Sequence, residues 1–285
     1  MQAFLVFQSD FGMADGAVSA MKGVAYSVDP GLVISDITHE ITPYNIFEAS
    51  YRLFQTLPYW PSNTVFVSVV DPGVGTSRQS VIARTAGGQY IVTPNNGTLT
   101  HIAAFLGITE LRLIEEQRNR LKNSEASYTF YGRDVYAYTG ARLAAGLISF
   151  EEVGPRLEMD DLVSLDLYGA TLKGSSVTGQ IDILDVRFGS LWTSIPFETF
   201  NELGISFGDY TEVRIFRESS LVYINQITYG RSFADVMVGM PVLYMNSVGH
   251  MALAINQGSF ARAYNIGTGS PWTIVLSRVD RKSVV

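Results

Sequence analysis

Two units of different class are predicted. The first is an α/β unit over residues 1–165 whose mostly parallel sheet is flanked by helices, and the second a smaller antiparallel β-barrel-like unit over residues 172–285. Three observations lead there. Apolar runs of strand length alternate with segments of helical spacing in the first half. Beyond about Gly146 the helical spacing fades, and short β-rich runs follow one another between Gly, Ser and Asn turns. Finally, 285 residues of which 47% are hydrophobic and 16% charged can bury one large core or two ordinary ones.

Taken in order, "AFLVFQ" is a short apolar strand ending at the turn-prone "SDFG", and "DGAVSAMKGVAYSV" behind it is a helix that Asp15 is placed to cap. "LVISDIT" reads as a strand, "NIFEASYRLFQTL" as an amphipathic helix and "TVFVSVV" as a buried strand. "QSVIART" and "QYIVTP" are strands meeting at Gly87-Gly88, and "RDVYAYTGARLAAGL" is a further helix. Strands alternating with helices require a sheet covered on both faces. The acidic, Pro-containing "FEEVGPRLEMDDLV" then leads into "VTGQIDILDVRFGSLWTSI", "YTEVRIFRES", "LVYINQITYG" and "PVLYMNS", all β-rich. No internal repeat or low-complexity tract interrupts this order.

Composition removes several function classes. With 20 basic against 27 acidic residues and a formal charge of -7, the chain lacks the clustered Lys and Arg of a nucleic-acid surface. No apolar run approaches the ~18 residues that span a bilayer. The start "MQAFLVFQSDFG" lacks a signal peptide's basic region and cleavage site, so a cytoplasmic protein without membrane partners is expected. The absence of cysteine removes disulfides, thiolate nucleophiles and thiolate metal sites. His39, His101 and His250 are scattered, without metal-ligand spacing, and no Gly-x-Ser-x-Gly elbow occurs. Carboxylates alone could hold a hard cation, but no spacing marks such a set; neither metal nor cofactor is expected.

"VVDPGVGTSR", Val69 to Arg78, is the densest motif. Glycines after a buried strand can bring backbone N–H groups to a phosphate. The spacing, however, fits neither phosphate-loop nor dinucleotide patterns, and a strand follows where both require a helix. A Gly-rich connection explains Gly73 and Gly75 but neither Asp71 nor Arg78. Ligands of open α/β sheets bind outside the carboxyl ends of the strands, where Asp10, Asp71 and the Asn95-Asn96-Gly97 run are predicted to stand. Each alone is an ordinary turn or cap residue. In the second half, Phe188 and Trp192 flank Gly189 near Asp185, where an aromatic wall and a carboxylate could face a flat cationic ligand; for Trp192 alone, core packing is the simpler account.

Together with these stretches, "HEITPYNIFEA", "TPNNGTLT", "TFYGRDVYA", "LDVRFGSLWTSI" and "MNSVGHMALAINQGSFA" occur in an order that resembles the S-adenosylmethionine (SAM) hydroxide adenosyltransferases, SAM hydrolases related to the fluorinase and chlorinase enzymes. The resemblance runs from near residue 8 to near residue 265. It implies a homotrimer with active sites between one subunit's N-terminal domain and its neighbour's C-terminal domain, and cleavage of SAM by water to adenosine and L-methionine. It further implies that Asp71 and Arg78 activate the water with a third residue, usually histidine, whose place is held here by Tyr131 between Phe130 and Gly132. A phenol with a reference pKa of ~10 can donate or relay a hydrogen bond but is a poor base near neutrality.

By the same resemblance Asp10 holds the ribose hydroxyls, Asp15 contacts the sugar or methionine side, and Tyr44 lines the pocket where the fluorinase has a tryptophan. Asn95, Phe130 and Gly132 complete that side of the substrate pocket. Asp185 takes the methionine ammonium and Ser247 its carboxylate, with Val248 replacing an arginine of the fluorinase. Phe188 and Phe233 are aromatic walls, and Asn256, Gln257 and Ser190 read the adenine edge. The halide-using relatives carry Ser where this chain has Gly132 and replace the Asp of "DPGVG", which favours water as nucleophile. Three alternatives stand beside hydrolysis: a SAM or adenosine binder with little turnover, a halide-dependent adenosyltransferase, and another nucleoside-processing enzyme on the same fold.

Overall fold

A computed structural model describes residues 3–279. The chain divides into two compact units, with the break between Leu165 and Asp166. In the first unit β1 (Phe4–Ser9), α1 (Ala17–Val28), β2 (Val33–Thr38), α2 (Ile46–Thr56) and β3 (Val65–Val69) alternate, followed by β4 (Ser80–Thr85), β5 (Tyr90–Pro94) and β6 (Ile108–Leu113). A short α3 (Glu116–Asn119), a wide helical turn at Gly132–Ala137 running into α4 (Tyr138–Ala144), and β7 (Arg156–Leu157) complete it.

The strands form one sheet in the order β2-β1-β3-β5-β4-β6-β7. The β2-β1-β3-β5 half is parallel, and the β4, β6 and β7 pairings are antiparallel. Side chains of successive strand residues point to opposite faces, and the two halves of the core follow that alternation. Leu5, Phe7, Val65 and Val67 pack with Met21, Ala25, Ala137 and Ala141 on one face. Val6 and Phe66 pack with Leu53, Leu57 and Ile102 on the other. Helix α1 buries Val18, Met21 and Ala25, the 3–4 spacing of one helical face. The Asn45 side chain caps α2 by accepting from Glu48 N–H at 3.0 Å, while the Glu48 carboxylate reaches back to Thr42 N–H at 3.0 Å. The polypeptide leaves β1 toward β2 on one side and reaches β3 on the other. The carboxyl ends of β1 and β3 therefore flank the point where strand order reverses, the crevice that open α/β sheets use for ligands.

The second unit contains β8 (Thr171–Lys173), β9 (Ser176–Asp185), β10 (Ser190–Pro196), α5 (Phe197–Asn201), β11 (Tyr210–Arg217), β12 (Ser220–Tyr229), β13 (Pro241–Met245), β14 (His250–Ile255), α6 (Phe260–Tyr264) and β15 (Trp272–Arg278). Strand β9 pairs with β15 over Ser176–Gln180 and with β10 over Ile181–Asp185. That double pairing closes a seven-stranded barrel, with β8 attached to the outside of β9. Val177, Ile181, Leu191, Val213, Leu253 and Ile274 are among the side chains that fill it. All its strand pairs are antiparallel except β12 with β13, because the connection over residues 230–240 crosses over and returns in the same direction. Among the described residues no helix is long and apolar enough to cross a membrane.

Candidate functional site

The reversal point of the first sheet carries a cavity of 390 Å³, within the range of small-molecule sites. Its wall includes Asp10 and Phe11 after β1, Tyr44 before α2, Asp71 after β3, and the run Phe130-Tyr131-Gly132 that opens the wide helical turn. Helical turns of that wide kind recur at functional sites. Gly132 is tightly enclosed, since a Cβ there would lie 3.0 Å from the Phe11 ring and would require that ring to give way slightly. Phe11 meets Phe130 edge to face at 5.7 Å between ring centres.

Two successive turns fold the loop after β3 back on itself. Val74 N–H bonds the Asp71 carbonyl and Thr76 N–H the Gly73 carbonyl. Arg78 consequently meets Asp71 in a forked pair, Nε donating to Oδ1 at 2.8 Å and Nη2 to Oδ2. Both side chains are largely buried, 10% and 6% exposed, so water screens the pair weakly. Burial pulls the Arg78 pKa down, but its bonds to Asp71 and the anions around it outweigh that and hold it above its ordinary value. The guanidinium lies 5.2 Å from the centre of the Tyr131 ring.

Asp10 follows the end of the neighbouring strand, β1. Its carboxylate accepts Tyr44 N–H at 2.8 Å and holds Tyr44 in a left-handed conformation, φ 68°, that a tyrosine seldom adopts. The end of β1 is itself anchored by a polar chain. Ser9 Oγ meets His39 Nδ1 at 2.7 Å, His39 Nε2 meets Asp36 at 3.0 Å, and Lys22 bonds Asp36 at 2.5 Å. Burial would raise the Asp36 carboxyl, yet Lys22 and His39 bring it below its ordinary value. Ser, His and Asp are joined here as in a hydrolytic triad, but Ser9 is 0% exposed, so its hydroxyl meets no substrate. Two expected residues stand apart from the cavity. Asn95 is buried with its amide spent on Asp161 C=O and Val163 N–H. Asp15 accepts Ala17 N–H at the start of α1 and borders a separate hollow with Lys22 and Tyr26.

A second cavity, of 540 Å³, lies on the barrel and is lined by Phe188, Ser190, Phe233, Asn256 and Gln257 among others. Phe188 is 67% and Phe233 45% exposed, whereas Trp192 is buried. Gly189 at φ 70° lets the β9–β10 turn approach Ser259, whose Oγ would lie 1.9 Å from an added Cβ. Gln257 also holds a left-handed φ, 57°, in the turn closed by Gly258 N–H on Ile255 C=O. The Asn256 amide donates to Val236 C=O at 2.8 Å. Asp185 pairs with Ser190 across β9 and β10 at the edge of this hollow, while Ser247 sits in the exposed turn at the far end of β14.

Sequence reasoning missed the groups behind the Asp71–Arg78 pair. Arg78 Nη1 donates to Ser80 Oγ at 3.0 Å, Ser80 donates to Glu116 at 2.8 Å, and the buried Tyr136 hydroxyl lies 3.2 Å from Ser80. Burial first, then the nearby Glu116 carboxylate, push the Tyr131 pKa up against the opposing pull of Arg120. These residues lie outside any short motif, which is why spacing alone gave no sign of them. No group of three or more acidic or histidine side chains able to hold a metal occurs among the described residues.

Residues 5–154 match the SAM hydroxide adenosyltransferase N-terminal domain and residues 179–273 the C-terminal domain of the same family. A fluorinase of Actinoplanes sp. (strain N902-109) is 32% identical, covering 95% of this chain and 96% of its own. An (R)-S-adenosyl-L-methionine hydrolase of Thermus thermophilus is 34% identical over 93% and 96%. A crystal structure of a conserved protein from Thermotoga maritima superposes with a TM-score of 0.88 at 34% identity, covering 96% of this chain and all of that one.

Proposed function

Because the chain belongs to the SAM hydroxide adenosyltransferase family, we propose that this enzyme cleaves SAM with water, giving adenosine and L-methionine. The water oxygen bonds to ribose C5′ as the C5′–S bond breaks. The sulfonium sulfur leaves with that electron pair as a neutral thioether, so no general acid is needed. The site must hold the water in line, shield it from competing solvent and favour its loss of a proton. The observation that carries this reading is the buried forked pair of Asp71 and Arg78 on the wall of the 390 Å³ cavity. Asp71 accepts the water's hydrogen bond, and Arg78 fixes the direction of its carboxylate. The Tyr131 ring closes that corner, and the carboxylate of Asp10 takes the ribose hydroxyls.

In the same reading the barrel cavity supplies the rest of the pocket: Phe188 and Phe233 as walls, Asn256, Gln257 and Ser190 at the adenine edge, with Asp185 and Ser247 for the methionine end. A homotrimer brings one protomer's cavity against a neighbour's barrel. Exposed Phe188, Met237 and Val238 form an apolar surface on the barrel that such packing would cover. The enzyme works in the cytoplasm, without cofactor, membrane or nucleic-acid partner.

The test is incubation of pure protein with SAM, with and without chloride or fluoride, and separation of products by chromatography. Adenosine and methionine in equal amounts, independent of halide and lost in Asp71→Ala, are expected. A halogenated nucleoside would overturn the choice of nucleophile, and binding by calorimetry without turnover would reduce the protein to a SAM binder.

A further inference from the structure

The geometry points to Glu116 as the positioning residue that locks the nucleophile-activating pair. The inference rests on the hydrolase reading for its consequence but on hydrogen-bond direction for its argument. Ser80 has one hydroxyl proton and two lone pairs. Its proton goes to Glu116 Oε1 at 2.8 Å, so both other contacts must donate to it: Arg78 Nη1 at 3.0 Å and the Tyr136 hydroxyl at 3.2 Å. Arg78 is thereby gripped from two sides, its Nε and Nη2 by Asp71 and its Nη1 through Ser80 by Glu116. The negative charge of Glu116 also reaches Tyr131 and helps to hold its phenol protonated against the pull of Arg120.

Tyr131 turns its ring toward Arg78, whose guanidinium carbon is 5.2 Å from the ring centre. Arg120 completes the assembly by stacking on Tyr131 at 5.1 Å and on Tyr128 at 4.8 Å and by bonding Ser124 and Ser127 of the loop beside the cavity. Glu116 does not itself line the cavity. Its role is to set the geometry of Asp71 and Arg78.

Glu116→Gln and Glu116→Asp test this with two readouts. Misdirecting Ser80, and through it Arg78, is expected to lower kcat about tenfold to a hundredfold in the Gln variant with KM for SAM changed less than about threefold, and the Asp variant should recover part of the loss. Independently of turnover, carbon-13 NMR of ring-labelled tyrosine, with Tyr131→Phe to assign the resonance, should show Tyr131 titrating at lower pH in the Gln variant than in wild type. Unchanged kcat together with an unmoved Tyr131 titration would overturn the assignment. If wild-type protein leaves SAM intact, the hydrolase reading fails and the tyrosine titration alone still decides for or against Glu116.

Discussion

Replacing Arg78 by lysine keeps the charge beside Asp71 and removes the fork. In the native pair Nε and Nη2 each hold one carboxylate oxygen while Nη1 holds Ser80. A lysine ammonium is a single point on a flexible stem and can keep one of these partners in good geometry. At least one charge-assisted bond is lost, worth about 1.5–3 kcal/mol, and the pair is so little exposed, 10% and 6%, that solvent does not dilute the loss. If the whole of it appears in the transition state, kcat/KM falls by roughly tenfold to more than a hundredfold. Initial rates of adenosine release, below and above KM, measure this, with circular dichroism melts to establish that the variant is folded. The loss should fall mainly on kcat, because Asp71 is asked to orient water and not to hold the nucleoside. A folded Arg78→Lys protein with more than half of wild-type kcat/KM would refute the reasoning: charge alone, without direction, would then suffice.

The proposed trimer makes a sharper claim. Mixing Asp71→Ala chains with Phe188→Ala/Asn256→Ala chains before assembly should restore about a quarter of wild-type activity, the fraction of head-to-tail contacts in a ring that join two intact halves; no recovery would place both halves in one chain. Gly132→Ala puts a methyl group against Phe11, 3.0 Å from the ring, and is expected to raise KM for SAM about tenfold by narrowing the cavity. Asp182 is the extra residue where β9 bulges against β10, and burial pushes its carboxyl up to about 7, opposed only in part by Gln180. The folded state binds that proton more tightly than the unfolded state, so the group's contribution is fully present at pH below the usual carboxylate range and is lost as pH rises through about 7. Asp182→Asn should therefore raise the melting temperature at pH 8 and leave it nearly unchanged at pH 4, with a gain of at most about 4 kcal/mol.

What the sequence disclosed depended on distance along the chain. Strands β1 to β5 and helices α1 and α2 were legible because their apolar periods are local, and Asp71 with Arg78 because the two lie within one ten-residue stretch. Strands β6 and β15 carry short or uneven apolar runs, and β15 gains its place by pairing on both sides, with β9 (Thr273 against Gln180) and with β11 (Ile274 against Ile215). Barrel closure and the parallel β12–β13 pair are therefore properties of contacts that no local window contains. The site follows the same rule. Ser80 and Glu116 are 36 residues apart and meet only because β4 and the segment after β6 run side by side. The left-handed backbone of Tyr44 and Gln257 was equally hidden, since neither residue type favours it.

Closing the barrel through its first and last strands also has a temporal consequence. During synthesis β9 is made long before β15, and at 5–20 residues per second the interval between Asp185 and Trp272 is roughly 4–17 s. The first unit is finished by then and free to fold as the ribosome continues. The barrel, in contrast, must wait with the β15-pairing edge of β9, over Ser176–Gln180, open to any other strand. A chain that stops short of Trp272 would keep that edge permanently, so premature termination between β9 and Trp272 should yield aggregated protein, not a trimmed enzyme.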